Sequence, residues 1–153
     1  MRKKKHHNKG KNDDDLFYIK NICESNHINH EDIEGLADID YPLFSFKYLV
    51  EVSIDNKSTS SSFYYDFIIR LKKLSELGWD EINKSHRHSF GMEHIPIKQV
   101  KPHHRLPEIV TKDVENLDVF RAVGDNRVFV GLRRGRVFFL FFIEAKFGDI
   151  YDH

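Results

Sequence analysis

Between Arg136 and Lys146, side chains alternate with a clear two-residue period. Val137, Phe139, Phe141, Ile143 and Ala145 fall on one face, and Arg136, Phe138, Leu140, Phe142, Glu144 and Lys146 on the other. This is the pattern of a central strand with one structural face and a second face whose hydrophobic middle is bracketed by charges. Ahead of it, Gly124-Asp125-Asn126 and Arg133-Arg134-Gly135 supply residues that tolerate positive φ, as hairpin connections require. The stretch from Leu117 to His153 therefore predicts a β-meander of three strands.

The same period recurs after Pro42. Phe44, Phe46, Tyr48, Val50, Val52 and Ile54 alternate with Ser45, Lys47, Leu49, Glu51 and Ser53, which predicts a half-buried antiparallel strand. Asp55 to Ser62 breaks it. From Phe63 to Leu77 the period becomes helical, with Tyr64, Phe67, Ile68, Leu71 and Leu74 on one stripe and Arg70, Lys72 and Lys73 assigned outward. Ser62 is placed as its cap, and Gly78 as a left-handed residue at its end. Trp79 to Ile82 opens a second short helix, with Asp80 and Glu81 suited to its N-terminal dipole. Glu93 to Val100 can form a strand, which Pro96 confines to an edge or a bulge. The order predicts an α+β domain, with helices packed on one face of a small twisted antiparallel sheet.

Length and composition support one core: 153 residues, 40% hydrophobic, with 13 Phe and six Tyr. The domain is expected over residues 42–153. A charged tail at 1–15, too poor in apolar side chains to order itself, and an acidic extension at 16–41 with one or two short helices precede it. The single Cys23 excludes an intramolecular disulfide and fits a reducing, cytoplasmic setting. No secretory signal pattern opens the chain. The longest apolar run, Val137 to Ile143, falls well short of the roughly 20 residues a membrane helix needs. Net charge is formally zero, yet Glu24 to Asp40 carries only acids, while Lys84 to Arg105 and Arg121 to Arg136 are mostly basic. A basic face on the C-terminal half follows, suited to phosphate or simply solvated.

Two groups of residues carry possible chemistry. His86, His88, His94, His103 and His104 lie close together and invite a zinc hypothesis. However, the paired ligand groups of structural sites and the H-E-x-x-H of catalytic ones are missing, so no metal or other cofactor is expected. The second group is Arg121, Arg127, Lys146, Tyr151 and His153, with Arg87 and His88 earlier in the chain. RNA is cleaved by its own 2′-hydroxyl when a base removes that proton, cations stabilise the crowded phosphorus centre and an acid protonates the 5′-oxygen. Taken singly, Arg121 and Arg127 are better explained as cross-strand partners of Asp118, Asp125 or Glu144, and Tyr151 as part of the core. Only convergence would make them a site.

The strand–helix–helix–meander order, the phrase FRAVGDNRV at Phe120 to Val128 and the ending GDIY at Gly148 to Tyr151 resemble the RelE/ParE superfamily of bacterial toxins. The resemblance spans roughly Phe44 to His153 and is motif-like in its last third. It implies a RelE-like α+β fold. It also implies either a metal-independent endoribonuclease that acts on messenger RNA, commonly at the ribosome, or a gyrase inhibitor of the ParE kind. A cognate antitoxin would be a protein partner in either case. Arg121 and Arg127 match the family's arginines on adjacent strands, and Tyr151 its C-terminal Tyr. Gly148 stands where many active members carry His or Arg, so His88 or His153 is expected to exchange protons. Arg87, Lys98 and Lys146 are expected to hold RNA phosphate. A non-catalytic protein-binding toxin and a His-dependent metallonuclease are the alternatives.

Overall fold

The computed structural model describes residues 39–54 and 59–153. The charged tail and all but the last residues of the acidic extension lie outside them. In chain order the elements are β1 (Leu43–Ser45), α1 (Ser61–Glu76), α2 (Trp79–Lys84), β2 (Glu93–Pro96), β3 (Asn116–Arg121), β4 (Val128–Arg134) and β5 (Val137–Ile143). The strands form one sheet in the order β1-β5-β4-β3-β2. The closing meander forms as its alternation demands, and β2 is an edge strand ending at Pro96, where a missing N–H does least harm. Among the described residues no helix is long and apolar enough to cross a membrane.

The domain is α+β, but its sheet is mixed rather than antiparallel, because β1 runs parallel to β5. The strand expected from Phe44 to Ile54 is also cut to three residues. After Ser45 the chain turns, with Leu49 N–H donating to Phe46 O at 3.0 Å, and it ends in a 3-10 turn over Glu51–Ser53. A defect in β5 accounts for the break. Val130 pairs with Phe142 but Gly131 with Leu140, so Phe141 is an extra residue in the ladder. The carbonyl of Phe141 accepts from Val50 N–H at 2.8 Å, and Ser53 Oγ accepts from Ile143 N–H at 3.3 Å. The chain from Val50 to Ser53 thus follows the bulged edge without continuing a strand.

The bulge also changes which way β5 points. Phe138 and Leu140 face the helices and Phe139 the opposite side, as alternation requires, but Phe142 joins Phe139 and Phe141 while Ile143 joins the helix side. The two-face assignment made by simple alternation therefore inverts beyond Phe141. Glu144 ends on the face away from the helices. Gly131 makes this approach possible: a Cβ there would stand 2.1 Å from the Phe139 carbonyl oxygen and 2.6 Å from the Phe138 ring.

Helix α1 begins two residues earlier than capping at Ser62 implies. Ser60 is the cap, its Oγ accepting from Phe63 N–H at 3.4 Å. Gly78 is not left-handed: at φ −81 and ψ 157 it is extended and begins α2. The stripe that α1 buries is Phe63, Phe67, Leu71 and Leu74, while Ile68 is exposed. Against it pack Trp79 and Ile82 of α2 and the aromatic side of the sheet. Phe129 is the hub, touching the rings of Phe44, Phe67, Phe120 and Phe138 at centroid distances of 5.3 to 6.1 Å. Each such ring contributes about 1.5–3 kcal/mol by leaving water. The other face of the sheet buries Leu117, Val119, Val130 and Phe139, and Ile150 and Tyr151 of the closing segment fold over it.

Candidate active site

The second face opens, at the β2 edge, into a cleft of about 560 Å³ whose lining includes Arg87, His88, Glu93, Arg121, Asn126, Phe147, Tyr151 and His153. Three pieces of chain build it. Strand β2 brings Glu93 opposite Val119 of β3. The turn from His86 to Gly91, closed by Gly91 N–H to His86 O at 2.9 Å, presents Arg87 and His88. The closing segment contributes Phe147, Tyr151 and His153, and between these pieces lie Arg121 at the end of β3 and Asn126 in the turn that follows.

That segment returns over the sheet because Gly148 adopts φ +79, a left-handed conformation that glycine takes without a Cβ penalty. An antiparallel bridge between Val100 and Tyr151 fixes the return. His153 Nε2 then lies 3.0 and 3.2 Å from the two carboxylate oxygens of Glu144. With Glu144 ionised as a pure acceptor, a neutral His153 ring would carry its hydrogen on Nε2 and its lone pair on Nδ1. Tyr151 and Phe147 flank the imidazole at 4.2 and 4.4 Å between centroids. Glu144 is fully buried. Burial raises its carboxyl above the usual carboxylate range, opposed only in part by His153 and the backbone N–H groups of Ile150 and Gly148. Gly148, expected from sequence to leave a proton-transfer group missing, is thus the turn that delivers His153.

Arg121 is 9% exposed. One terminal nitrogen donates to Asn126 O at 2.7 Å, the other lies 3.7 Å from Glu93, and Nε is buried with no hydrogen-bond partner among the described residues. An unsatisfied buried donor is costly, and where the guanidinium lines the cleft its charge suits an anion. Arg87 reaches the other Glu93 oxygen at 3.6 Å and donates Nε–H to His88 Nε2 at 3.1 Å. The Tyr151 hydroxyl is pushed up to about 12, first by burial and then by the Glu93 and Glu144 charges, with Arg121 and Arg87 opposing. It stays protonated and can donate a hydrogen bond across the neutral range.

Five of the residues expected at the site from sequence, Arg87, His88, Arg121, Tyr151 and His153, come together in this cleft. Arg127, Lys98 and Lys146 do not line it. Arg127 is tied to Asp125 at 2.9 Å and to the Ala145 carbonyl at 3.1 Å, and lies 4.3 Å over the Phe63 ring. Lys98 is exposed on the 3-10 turn Ile97–Gln99, and Lys146 is exposed beyond β5. His86 and His88 sit in a turn, so the strand spacing that would aim both rings one way is not present.

Sequence reasoning missed Glu93, Asn126, Phe147 and the role of Glu144. It also missed Arg70. Rather than facing outward, Arg70 donates Nε–H to the Arg121 carbonyl at 3.3 Å and bonds the Ser89 carbonyl, with its guanidinium 4.5 Å over Phe90. It lines a second hollow of about 360 Å³ that shares His88, Arg121 and Asn126 with the cleft. The fold and cleft define a small α+β protein with a cleft at one sheet edge that mixes arginine, histidine and carboxylate side chains. No family model, curated protein or solved structure matches the chain.

Proposed function

We propose that this protein is a RelE-like toxin, a metal-independent endoribonuclease that cleaves messenger RNA at the cleft through attack of the RNA's own 2′-hydroxyl. The observation that carries the reading is the imidazole of His153, oriented by buried Glu144, in the same cleft as Arg121 and Tyr151. Its Nδ1 lone pair takes the 2′-hydroxyl proton as the 2′-oxygen bonds to phosphorus. Arg121 and Arg87, which line the cleft, offset the charge that builds on the phosphoryl oxygens. The neutral Tyr151 hydroxyl donates toward the departing 5′-oxygen, and His88 sits on the same rim. The 5′-oxygen leaves with a proton and the phosphate closes on the 2′-oxygen. The strand–helix–helix–meander order supports the toxin class, and a cognate antitoxin would neutralise the protein by covering this cleft.

Incubating the purified chain with RNA in excess EDTA tests the reading. Fragments ending in 2′,3′-cyclic phosphate are expected. Intact RNA at every ratio of protein to RNA, with or without ribosomes, would refute it.

A further inference from the structure

Three residues outside the cleft come together without any part in the proposed reaction. His103 and His104 follow Val100 in a turn, and Asp149 follows Gly148. The backbone joins these two loops: Val100 bridges Tyr151, and Lys101 N–H donates to Ile150 O at 2.9 Å. One ring nitrogen from each histidine and a carboxylate oxygen of Asp149 all lie within 4.8 Å of one another.

The local geometry favours a ligand there. The His104 ring rests 4.1 Å from His103 and 5.2 Å from Phe142 between centroids, which limits its rotation. Its Nε2 is 2.8 Å from the Asp149 carbonyl oxygen. A carbonyl only accepts, so the neutral ring carries its hydrogen on Nε2 and its lone pair on Nδ1, and a backbone carbonyl behind a ligating imidazole commonly fixes it this way. The Asp149 carboxylate makes no ion pair among the described residues. The adjacent Lys101 ammonium is occupied, donating to the Gly148 carbonyl at 2.6 Å and pairing with Asp152 at 3.1 Å.

We propose that His103, His104 and Asp149 bind a zinc ion that staples the turn after Val100 to the closing segment that carries Tyr151 and His153. Two imidazoles and a carboxylate match zinc's preferred donors and leave a fourth tetrahedral place for water. Magnesium and calcium, which take oxygen ligands, find a single carboxylate here. None of the three residues lines the cleft, so zinc binding can be read without reference to RNA cleavage.

Titration of the full chain with zinc chloride, followed by calorimetry and by thermal melting, tests the proposal. The wild type should bind one tight equivalent and melt higher with zinc than with EDTA. Asp149→Asn and His103→Gln, both at exposed positions, should melt like the wild type in EDTA and bind zinc roughly tenfold or more weakly. A His6→Ala/His7→Ala variant should keep the tight equivalent. Identical zinc isotherms for the wild type and Asp149→Asn, or a tight equivalent lost only with His6 and His7, would overturn it.

Discussion

The two faces of one sheet use their arginines in opposite ways. On the helix side, Arg127 lies over Phe63 and Arg133 lies 3.7 Å over Trp79, each guanidinium closing an aromatic core against water. On the other side, Arg121 is more deeply buried than either, yet its Nε is left without a partner at the wall of a cleft. All three come from the same β3–β4 hairpin. A residue's charge therefore says little about its role until its face of the sheet is known. The helix side is an apolar cluster roofed by cations. The far side trades part of that cluster for Glu93, Arg121 and Glu144, polar groups whose burial is repaid only if a ligand or a paired partner satisfies them.

The sharpest break in the comparison is expected at Phe129. Phe129→Ala removes the hub of the helix-side rings and should cost about 3–5 kcal/mol, a large part of the 5–15 kcal/mol typical of a whole domain. Urea denaturation should show the midpoint collapse. Phe147→Ala, at a cleft-rim residue 53% exposed, should leave that midpoint nearly where it is.

Arg121→Lys comes next. It keeps the charge but loses the fork and the unpartnered Nε, and initial rates of RNA cleavage should fall roughly 10²–10³-fold, as for removal of one preorganised donor. An unchanged rate would return Arg121 to the structural class of Arg127.

A smaller effect is expected from Tyr151 at alkaline pH. Its folded pKa is raised from 10.0 to about 12, so the fold favours the protonated form. The stability it contributes is fully present below the unfolded value and is lost as pH rises through the folded one. Denaturation midpoints should drop between about pH 10 and about pH 12, and Tyr151→Phe should flatten that drop. An equal slope in both proteins would remove the buried hydroxyl from the account.

The smallest change belongs to Arg127→Lys. Weakening the contact with Phe63 should cost about 0.5–1 kcal/mol in melting experiments and leave RNA cleavage at the wild-type rate. A large loss of cleavage would restore the role that its place in the toxin-like phrase implies.

Much of this was legible in the residues, and the parts that were not share a cause. The meander and the first helix follow from periods of two and 3.6, the edge strand from Pro96 and the second helix from its acidic first turn. The sequence grouped Arg121 and Arg127 in one site; their split became plain only once Phe120 and Phe129 were both found on the helix side, since counting by two then puts Arg121 on the far face and Arg127 on the near one. The bulge was invisible, because Phe141 and Phe142 are equally apolar and alternation cannot register one extra residue between them. With it went the true side of Glu144, and so the pairing with His153. The parallel placement of β1 depends on a long-range contact that its own three residues do not encode. Arg70 looks like part of a solvated helix face until the turn from His86 to Gly91 folds against it.

The central claim is that His153, aligned by Glu144, performs the proton transfer in the cleft. It is tested most directly by His153→Ala, assayed beside the wild type for RNA cleavage in EDTA at neutral pH, with thermal melting as the control. A rate lower by roughly 10²–10⁴-fold is expected in a protein that still melts cooperatively. Cleavage at the wild-type rate by folded His153→Ala would contradict it.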